Sequence, residues 1–222
     1  MLRDSLIDIQ VRAMPDQLVQ ALESAIVFGE LPAGTHVVEE EVAERYRVSR
    51  SPVREALRRL ERDGMLVRDE RRGVRVAPIS ARDLDEIYMC RIPLEGLAAA
   101  QAAAMHNPDV IPRLNVCLND LERCFKSGDI KGYFIANVAF TDLVHNAAAN
   151  STLASLLEGI GKRALRYRYF AYSTAPDLVT ASVEGSREIV DMISDRNQTG
   201  AKKVTEKLIE RSWKTIRNLI DA

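Results

Sequence analysis

Apolar residues recur at helical spacing through most of the chain, and the clearest case is VSRSPVREALRRLERDG at residues 48–64. One helix face carries the positions i, i+3, i+4 and i+7, namely Val53, Ala56, Leu57 and Leu60. The opposite side carries arginines. Ser51 suits the N-cap and Pro52 the first helical position, because a proline has no N–H to leave unpaired there. With Gly64 as its stop, the pattern predicts a short helix with an apolar back and a basic front.

Other patterned segments flank this helix. Residues 15–29 and 39–46 have amphipathic helical spacing, and Gly29 supplies a stop for the first of them. After Gly64, MLVRD and VRVAP have the alternation of short strands, joined by a tip at residues 70–73. Helix, tight turn, arginine-faced helix and two strands predict a winged helix-turn-helix domain over residues 1–78.

From residue 79 onward no strand pattern appears, and helical spacing continues to the end of the chain. Ser80 is placed to cap the next helix, with Asp83 three positions on. Six breaks divide the remainder: Pro93, Asn107-Pro108, Gly128, Asn150, Pro176 and Gly200. Short loops between amphipathic helices predict an antiparallel bundle of six or seven helices over residues 79–222. The predicted fold class is therefore mainly α.

The composition of the 222 residues suits a soluble globular protein, with 46% hydrophobic and 28% charged residues. No run of 18 apolar residues occurs, and two aspartates interrupt the N-terminal MLRDSLIDIQ. We therefore expect neither a signal peptide nor a membrane partner, and a cytoplasmic location. Cys90, Cys117 and Cys124 have no CxxC spacing, which favours reduced thiols over zinc or redox chemistry.

Positive charge is concentrated around the arginine-faced helix, although the whole chain carries only −1. Residues 45–75 contain eleven arginines, five acidic residues and no lysine, which gives a local charge of +6. A guanidinium fork binds both phosphate and guanine bidentately. This distribution predicts binding to double-stranded DNA, with the helix in the major groove, in preference to a solvated helix face.

Three segments of the first domain carry a family resemblance: GELPAGTHV, VSRSPVREALRRLERDGMLV and RRGVRV. They resemble the winged helix-turn-helix of GntR-type bacterial transcription regulators. The resemblance implies that the start of the recognition helix touches phosphates and bases, that an arginine one turn further reads a base edge, and that the wing tip follows the minor groove. The corresponding residues are Ser49, Arg50 and Ser51, then Arg54, and then Arg72 and Gly73.

Physical arguments agree with part of this assignment. Arg54 projects from the basic front of the helix, and Arg50 lies beside the positive end of the helix, where a phosphate is favoured. The later arginines of the helix could contact phosphates or could pair with Glu55 within the helix. These residues are Arg58, Arg59 and Arg62.

The second domain resembles the effector domain of the FadR subfamily, called the FCD fold. The resemblance rests on Arg91 and Glu95, which open an alanine-rich helix, and on a phenylalanine-containing helix followed by Asn150 and Leu153. The family commonly binds a divalent metal through an Asp-x-x-x-His pair and two later histidines. Those positions fall here on Asn137, Thr141, Ser186 and Arg211. None of them supplies an imidazole, so we expect no metal cofactor.

Two histidines of the second domain are alternative candidates for metal ligands. His145 follows Asp142 by three residues and could form a shifted pair, but the two partner histidines would still be missing. His106 stands at a helix end beside Asn107-Pro108, where a charge on the helix dipole is the simpler explanation. Structural roles are therefore preferred for both.

A cavity without metal would still need partners for its polar side chains, because an unsatisfied buried polar group costs about 1–3 kcal/mol. We expect a small effector with an acidic group, held by Arg91 as the resemblance implies. Further effector residues would be Asn137, Thr141, Ser186 and, as a second cation, Arg211. The alternatives are a structural ion pair of Arg91 with Glu95 and a solvated ion pair for Arg211.

The run RYRYF at residues 166–170 alternates basic and aromatic side chains. It could stack on an effector or form a second nucleic-acid patch. Dimer packing or ordinary burial is preferred, because on a helix these residues scatter around the circumference.

Together these features predict a homodimeric transcription regulator and not an enzyme. Two recognition helices on a pseudo-palindromic operator would supply the specificity that one helix lacks, and an effector resembling an organic acid would change operator affinity. A ligand-independent DNA-binding protein is the alternative, and a closed apolar bundle interior would favour it. An enzyme with a catalytic helical domain would need a nucleophile, paired carboxylates or metal ligands, and none occurs at a suitable spacing.

Overall fold

The computed structural model of the chain describes residues 2–69, 73–105 and 107–221, with side chains from residue 15 onward in those ranges. Arg72 and His106, for which a wing contact and a helix-end charge are predicted, lie outside the described residues. Within those ranges the chain forms nine α-helices and three β-strands, and it divides after Ile79 into two compact units. The mainly helical fold class is confirmed.

The N-terminal unit contains three helices and a small antiparallel sheet. Its elements are α1 (Leu2–Val27), β1 (His36–Val37), α2 (Glu39–Tyr46), α3 (Arg50–Arg62), β2 (Leu66–Asp69) and β3 (Gly73–Val76). Strand β3 lies between β1 and β2, with Val74 opposite both Val37 and Arg68. The apolar back of α3 packs against α1 and α2, and Val53 and Leu60 are fully buried there. This core orients the basic front of α3.

Three boundaries in this unit differ from the prediction. Helix α3 begins at Arg50 with Ser49 as its N-cap, two residues before the predicted start. Pro52 therefore lies in the first turn, where its missing N–H is still not needed. Helix α1 continues through Pro15 to Leu2. The segment LPAGTHV, residues 31–37, predicts a turn and a short extended stretch, and its last two residues form β1 because their backbone pairs with β3.

The C-terminal unit is a bundle of six helices within the described residues. They are α4 (Ala81–Met105), α5 (Val110–Ser127), α6 (Ile130–Ala147), α7 (Ser151–Thr174), α8 (Pro176–Ser194) and α9 (Gln198–Asp221). Ser80 caps α4 as predicted, because its Oγ accepts the Asp83 N–H at 3.3 Å. Gly128 ends α5 at a φ of 71°, Asn150 caps α7, and Pro176 begins α8.

Two predicted breaks in the bundle are wrong. Pro93 lies inside α4, which runs unbroken for 25 residues. An interior proline costs about 3 kcal/mol, and the packing of α4 against α6, α7, α8 and α9 outweighs that cost. Gly200 lies in the first turn of α9, whereas the real break falls at residues 195–197. Helix α4 is thus central to the bundle, and it carries Arg91 and Glu95 into the interior.

Among the described residues, no helix has the length and apolar character needed to cross a membrane. Cys90, Cys117 and Cys124 are free thiols.

Candidate functional sites

The exposed front of α3 and the turn before it form the candidate DNA-binding face. The exposed residues that were predicted to contact DNA here are Ser49, Arg50, Ser51 and Arg54. The turn between α2 and α3 is tight because Arg47 adopts a left-handed conformation, with a φ of 53°, and donates its N–H to the last turn of α2. All four residues are exposed, and their contacts with DNA stay a prediction.

Two carboxylates at the N-terminus of α2 bind the two arginines of this face. Arg54 donates from Nε to both carboxylate oxygens of Glu39 at 3.2 and 3.3 Å, and from Nη2 to Oε2 at 3.0 Å. Arg50 Nη2 lies 2.9 Å from Glu40 Oε1. The hydrogen bond from Arg54, opposed by slight burial, lowers the pKa of Glu39. Because Glu39 binds the Nε edge of the guanidinium, these bonds leave Nη1 of Arg54 for a base or a phosphate.

The later arginines of α3 divide into two groups. Arg59 bonds to Glu55 one turn earlier at 3.3 Å and also to Asp16 of α1. The intrahelical pairing with Glu55 is therefore made by Arg59, which ties α3 to α1. Arg58 and Arg62 are exposed, and phosphate contact stays a prediction for both.

At the wing, Gly73 begins β3 with a φ of 81°. Side chains rarely adopt this left-handed conformation, whereas glycine does so without strain. A Cβ at this position would meet no atom within 4 Å, so the backbone conformation and not a lack of space requires glycine. An exposed backbone without a side chain suits the close approach to DNA predicted for the wing tip.

The second candidate site is a small cavity inside the bundle, lined by residues of α4, α6, α7, α8 and α9. Its volume is about 60 Å³, enough for about four water molecules at roughly 15 Å³ each. Apolar walls include Phe140, Val144 and Ile189, and the polar side chains form two clusters. This volume is well below the roughly 300–1,000 Å³ of pockets for drug-sized ligands, so the cavity as it stands fits only a very small molecule.

The first polar cluster joins Arg91 and Glu95 of α4 to His145 of α6. Arg91 donates from Nε to Glu95 Oε1 at 2.7 Å, and its Nη2 lies 2.6 Å from the same oxygen. His145 Nε2 is 3.7 Å from Glu95 Oε2, and the Arg91 guanidinium lies 4.7 Å from the centroid of the Tyr88 ring. Burial raises the pKa of Glu95, but the charge of Arg91 and the hydrogen bond from His145 outweigh it and bring that pKa to about 2. The pair is therefore ionised inside the protein.

The second polar cluster is centred on Asn137 of α6. Its Oδ1 accepts hydrogen bonds from Nη2 of Arg168 at 2.7 Å and from the Tyr172 hydroxyl at 3.1 Å. Its Nδ2 donates to Ser182 Oγ at 3.3 Å, and the Ser182 and Tyr172 hydroxyls are 3.0 Å apart. These bonds close a ring and fix the amide so that its oxygen faces Arg168.

Two buried polar atoms in side chains that line the cavity have no hydrogen-bond partner in the described part of the chain. They are Nη1 of Arg91 and Oγ1 of Thr205, in residues that are 4% and 5% exposed. An unsatisfied buried group costs about 1–3 kcal/mol, and more when it is charged. A molecule in the cavity that accepts from Arg91 and bonds to the Thr205 hydroxyl would remove this cost.

The cavity also has an excess of positive charge. Arg91 and Arg168 are 4% and 6% exposed, and Glu95 supplies the single carboxylate among the lining residues. Asp142, although on α6, lies in a separate groove between α5 and α6. Two arginines against one glutamate favour an anion in the cavity over a cation.

The residues at the expected metal positions do not fit a divalent metal. Asn137 offers an amide oxygen that is already bonded to Arg168, Thr141 donates its hydroxyl to the Asn137 carbonyl oxygen at 2.8 Å, and Ser186 has a hydroxyl. None of these supplies the anionic or imidazole ligand that such a metal needs.

The other potential ligands do not compensate. Glu95 and His145 contact each other, and Glu95 is also bonded to Arg91. Asp142 does not line the cavity, so the shifted pair with His145 does not form there. Across the described ranges, no group of three or more His, Cys, Asp or Glu residues could hold a metal ion.

Four of the five predicted effector residues line the cavity: Arg91, Asn137, Thr141 and Ser186. Arg91 is predicted to hold the effector, with a structural ion pair to Glu95 as the alternative. The structure contains the ion pair, and Arg91 also lines the cavity. The placement of Arg211 is wrong, because this residue is exposed. The stripe of α9 that faces the cavity contains Thr205, Leu208, Ile209 and Ser212. Arg211 lies about 100° around the helix from Ser212 and so points away.

The prediction missed five polar cavity residues on α7, α8 and α9: Arg168, Tyr172, Ser182, Thr205 and Ser212. The sequence does carry a signal for Arg168, the RYRYF run, for which burial or dimer packing is the preferred interpretation. Arg168 is indeed buried, yet it faces a polar cavity. Tyr172 follows Arg168 by one helical turn, so an extension of the run by two residues would have suggested a shared polar face.

Comparison with known families identifies the class of protein. Residues 15–76 match the family described as bacterial regulatory proteins, gntR family, and residues 86–211 match the FCD domain. The chain therefore belongs to the GntR family and is a DNA-binding transcription regulator with an FCD domain. The similar proteins are regulators and not enzymes.

Individual relatives agree with this assignment. YdhC of Bacillus subtilis, an uncharacterized HTH-type transcriptional regulator, is 31% identical over 84% of both chains. A probable D-xylose utilization operon transcriptional repressor of Paenarthrobacter nicotinovorans is 30% identical over 76% of this chain and 73% of its own. The structure of Escherichia coli McbR/YncC is 22% identical, covers 93% of this chain and 98% of its own, and has a TM-score of 0.82. It shows the same fold.

Proposed function

We propose that this regulator binds a small organic acid in the bundle cavity and that the bound acid changes its affinity for operator DNA. The observation that carries the proposal is Nη1 of Arg91, which is buried, lacks a partner and belongs to a cavity-lining residue. A carboxylate that accepts from Nη1 would satisfy the donor and offset the excess positive charge. A closed apolar interior would favour a ligand-independent protein, whereas a polar cavity with an unpaired buried donor supports effector control.

The cavity also limits the size and chemistry of the effector. About 60 Å³ suits an acid with a short carbon chain, and the apolar walls suit an aliphatic remainder. The Thr205 hydroxyl offers a second hydrogen bond at another position in the cavity. The Asn137 oxygen accepts from Arg168 and Tyr172, and Thr141 donates its hydroxyl to a backbone oxygen of α6. Asn137 would therefore meet the effector through its second Nδ2 hydrogen, as a donor, and the Thr141 oxygen could accept a hydrogen bond from a hydroxyl of the effector.

At the DNA we propose a homodimer, with one recognition helix in each half of a pseudo-palindromic operator. A single helix contacts too few base pairs for useful specificity. The contacts that we propose are Ser49, Arg50 and Ser51 with the backbone, Arg54 with a base edge, and Arg72 and Gly73 along the minor groove. The effector would act by favouring one arrangement of the two DNA-binding units over another.

The effector test compares two arginine variants of α4. Arg91→Lys retains a positive charge beside Glu95 but removes the Nη1 group that is proposed to bind the effector. Arg82→Lys is its matched control, because Arg82 bonds to Glu86 at 2.9 Å with the same spacing on the same helix but is exposed. Short-chain acids would be screened by thermal shift and measured by calorimetry. We expect Arg91→Lys to lose about tenfold or more in affinity and Arg82→Lys to be unchanged. Equal affinity in both variants would exclude the role of Arg91.

The DNA test uses an operator selected from a random library with the full-length protein. Arg54→Ala should weaken operator binding by about 1–3 kcal/mol, and random DNA should be affected less. Arg58→Ala, on the same exposed face, provides the comparison. An equal loss on operator and random DNA would show that Arg54 contacts phosphate and does not read a base.

A further inference from the structure

Arg168 differs from Arg91 in how the protein compensates its charge. Arg91 has Glu95 as its counter-ion, whereas the Arg168 guanidinium donates to the neutral amide oxygen of Asn137 at 2.7 Å. Arg168 also lies 5.9 Å from the centroid of the Phe134 ring. In the described part of the chain no carboxylate lies within ion-pair distance of Arg168, although it is 6% exposed.

The identity of residue 137 explains this excess charge. An aspartate there would have the same shape, would still accept from Arg168 and would neutralise it. Asn137 provides the hydrogen bond without the charge, and its Nδ2 is bonded to Ser182, which fixes which end of the amide faces Arg168. In related domains this is the position of the aspartate that binds metal. The change to asparagine therefore removes a metal ligand and leaves Arg168 without a carboxylate in direct contact, since Glu95 and Asp142 act on its charge only at longer range.

We propose that the Arg168 guanidinium takes the electrostatic role that a divalent metal has in related domains, so that this cavity binds a small monoanion without any metal. The proposal rests on the effector role described above. It adds that the positive charge is supplied by the chain itself, through Asn137 and Arg168, and that Asn137 sets the charge of the site. With two arginines and one glutamate, one negative charge on the ligand makes the cavity neutral.

The test measures binding of acetate and glycolate to the full-length protein by calorimetry, at constant ionic strength, after treatment with EDTA. Zn²⁺, Mn²⁺ or Ni²⁺ is then added in separate experiments. We expect the same affinity with and without each metal, and no metal retained by the protein in elemental analysis. Binding that requires a metal would overturn the proposal and leave the effector function intact. No binding of either acid under any condition would overturn both.

Asn137→Asp tests the charge directly. It should lower the affinity for acetate and glycolate by about tenfold or more, because a carboxylate would replace the anion as the counter-ion of Arg168. Asn146→Asp makes the same change on an exposed position of α6 outside the cavity and should leave the affinity unchanged. Equal affinity in both variants would overturn the proposal.

A second variant covers the case in which Asn137→Asp does not fold. Arg168→Gln removes the charge but keeps a donor for the Asn137 oxygen, and it should also lower the affinity by about tenfold. Arg163→Gln, an exposed position on the same helix, is its control. If Arg168→Gln binds acetate as tightly as the unmodified protein, the cation of this cavity is not Arg168 and the proposal fails.

Discussion

Replacement of Glu95 by glutamine should have two opposite effects: it should make the bundle less stable and make the cavity bind an anion more tightly. Glu95 is 6% exposed and accepts two close contacts from Arg91, at 2.7 and 2.6 Å. Removal of one member of a buried pair costs about 3–5 kcal/mol, because the other charge is left without compensation. The fall in the pKa of Glu95 from 4.5 to about 2 corresponds to a similar amount, on the order of 3 kcal/mol.

The contribution of Glu95 to the free energy of unfolding should decrease at low pH. The folded-state pKa of Glu95 is below its unfolded value, so the stabilisation is fully present above pH 4.5 and is lost as the pH falls toward 2. Urea unfolding followed by circular dichroism should therefore show a constant deficit for Glu95→Gln between pH 7 and 5. Below pH 4.5 the deficit should shrink, because the unmodified protein then loses the same contribution.

Glu86→Gln is the matched control for this prediction. Glu86 pairs with Arg82 at the same spacing on the same helix, but both side chains are largely exposed. An exposed pair of this kind contributes roughly 0.3–0.5 kcal/mol. The reasoning is refuted if Glu95→Gln costs no more than Glu86→Gln, or if its deficit is unchanged between pH 7 and 3. A glutamine at position 95 should also make acetate binding tighter, because the cavity then has two arginines and no carboxylate.

Three further changes have defined outcomes. Glu39→Gln should reduce the ratio of operator to random-DNA affinity by about three- to tenfold, because it weakens the bonds that orient Arg54; fluorescence anisotropy would measure both affinities. Arg47→Gly should raise the free energy of unfolding by about 0.5–1 kcal/mol in urea titrations, since Arg47 has a φ of 53°. Tyr167→Phe should lower it by about 1–3 kcal/mol in the same assay, because its hydroxyl bonds to the Ser80 backbone and, at 2.9 Å, to Asp83.

Much of the fold follows from spacing that can be read in the sequence. The four apolar positions of α3 are all buried. Ser80, Gly128 and Asn150 lie at helix ends as predicted, because a capping side chain or a left-handed glycine acts within a few residues of its own position. Pro93 shows where such reasoning fails. Its local cost is outweighed by the packing of α4 against four other helices, and no pattern within α4 contains that information.

In the candidate sites, too, some residues could be placed from the sequence and others depend on how the helices pack. Arg91 and Asn137 could be placed because a family pattern supplied their positions, whereas Arg211 was misplaced by one position in the phase of α9. The RYRYF run marked Arg168 as unusual but did not place it in the cavity, because its partner Asn137 is 31 residues away on another helix. A contact between distant helices depends on how the helices pack, and single-sequence periodicity does not define that packing.

The two sites use arginine–glutamate pairs in opposite ways. The Arg54–Glu39 pair is partly exposed, so the contact that DNA makes through Nη1 of Arg54 lies in a solvated position, where added salt should weaken it. The Arg91–Glu95 pair is buried, and its carboxylate, with a pKa near 2, stays ionised at physiological pH, so separating the two charges would be costly. An effector must therefore bind beside the intact Arg91–Glu95 pair, by accepting a hydrogen bond from Nη1 of Arg91. It follows that effector binding should depend only weakly on salt and should stabilise the helical unit, whereas DNA binding should depend strongly on salt.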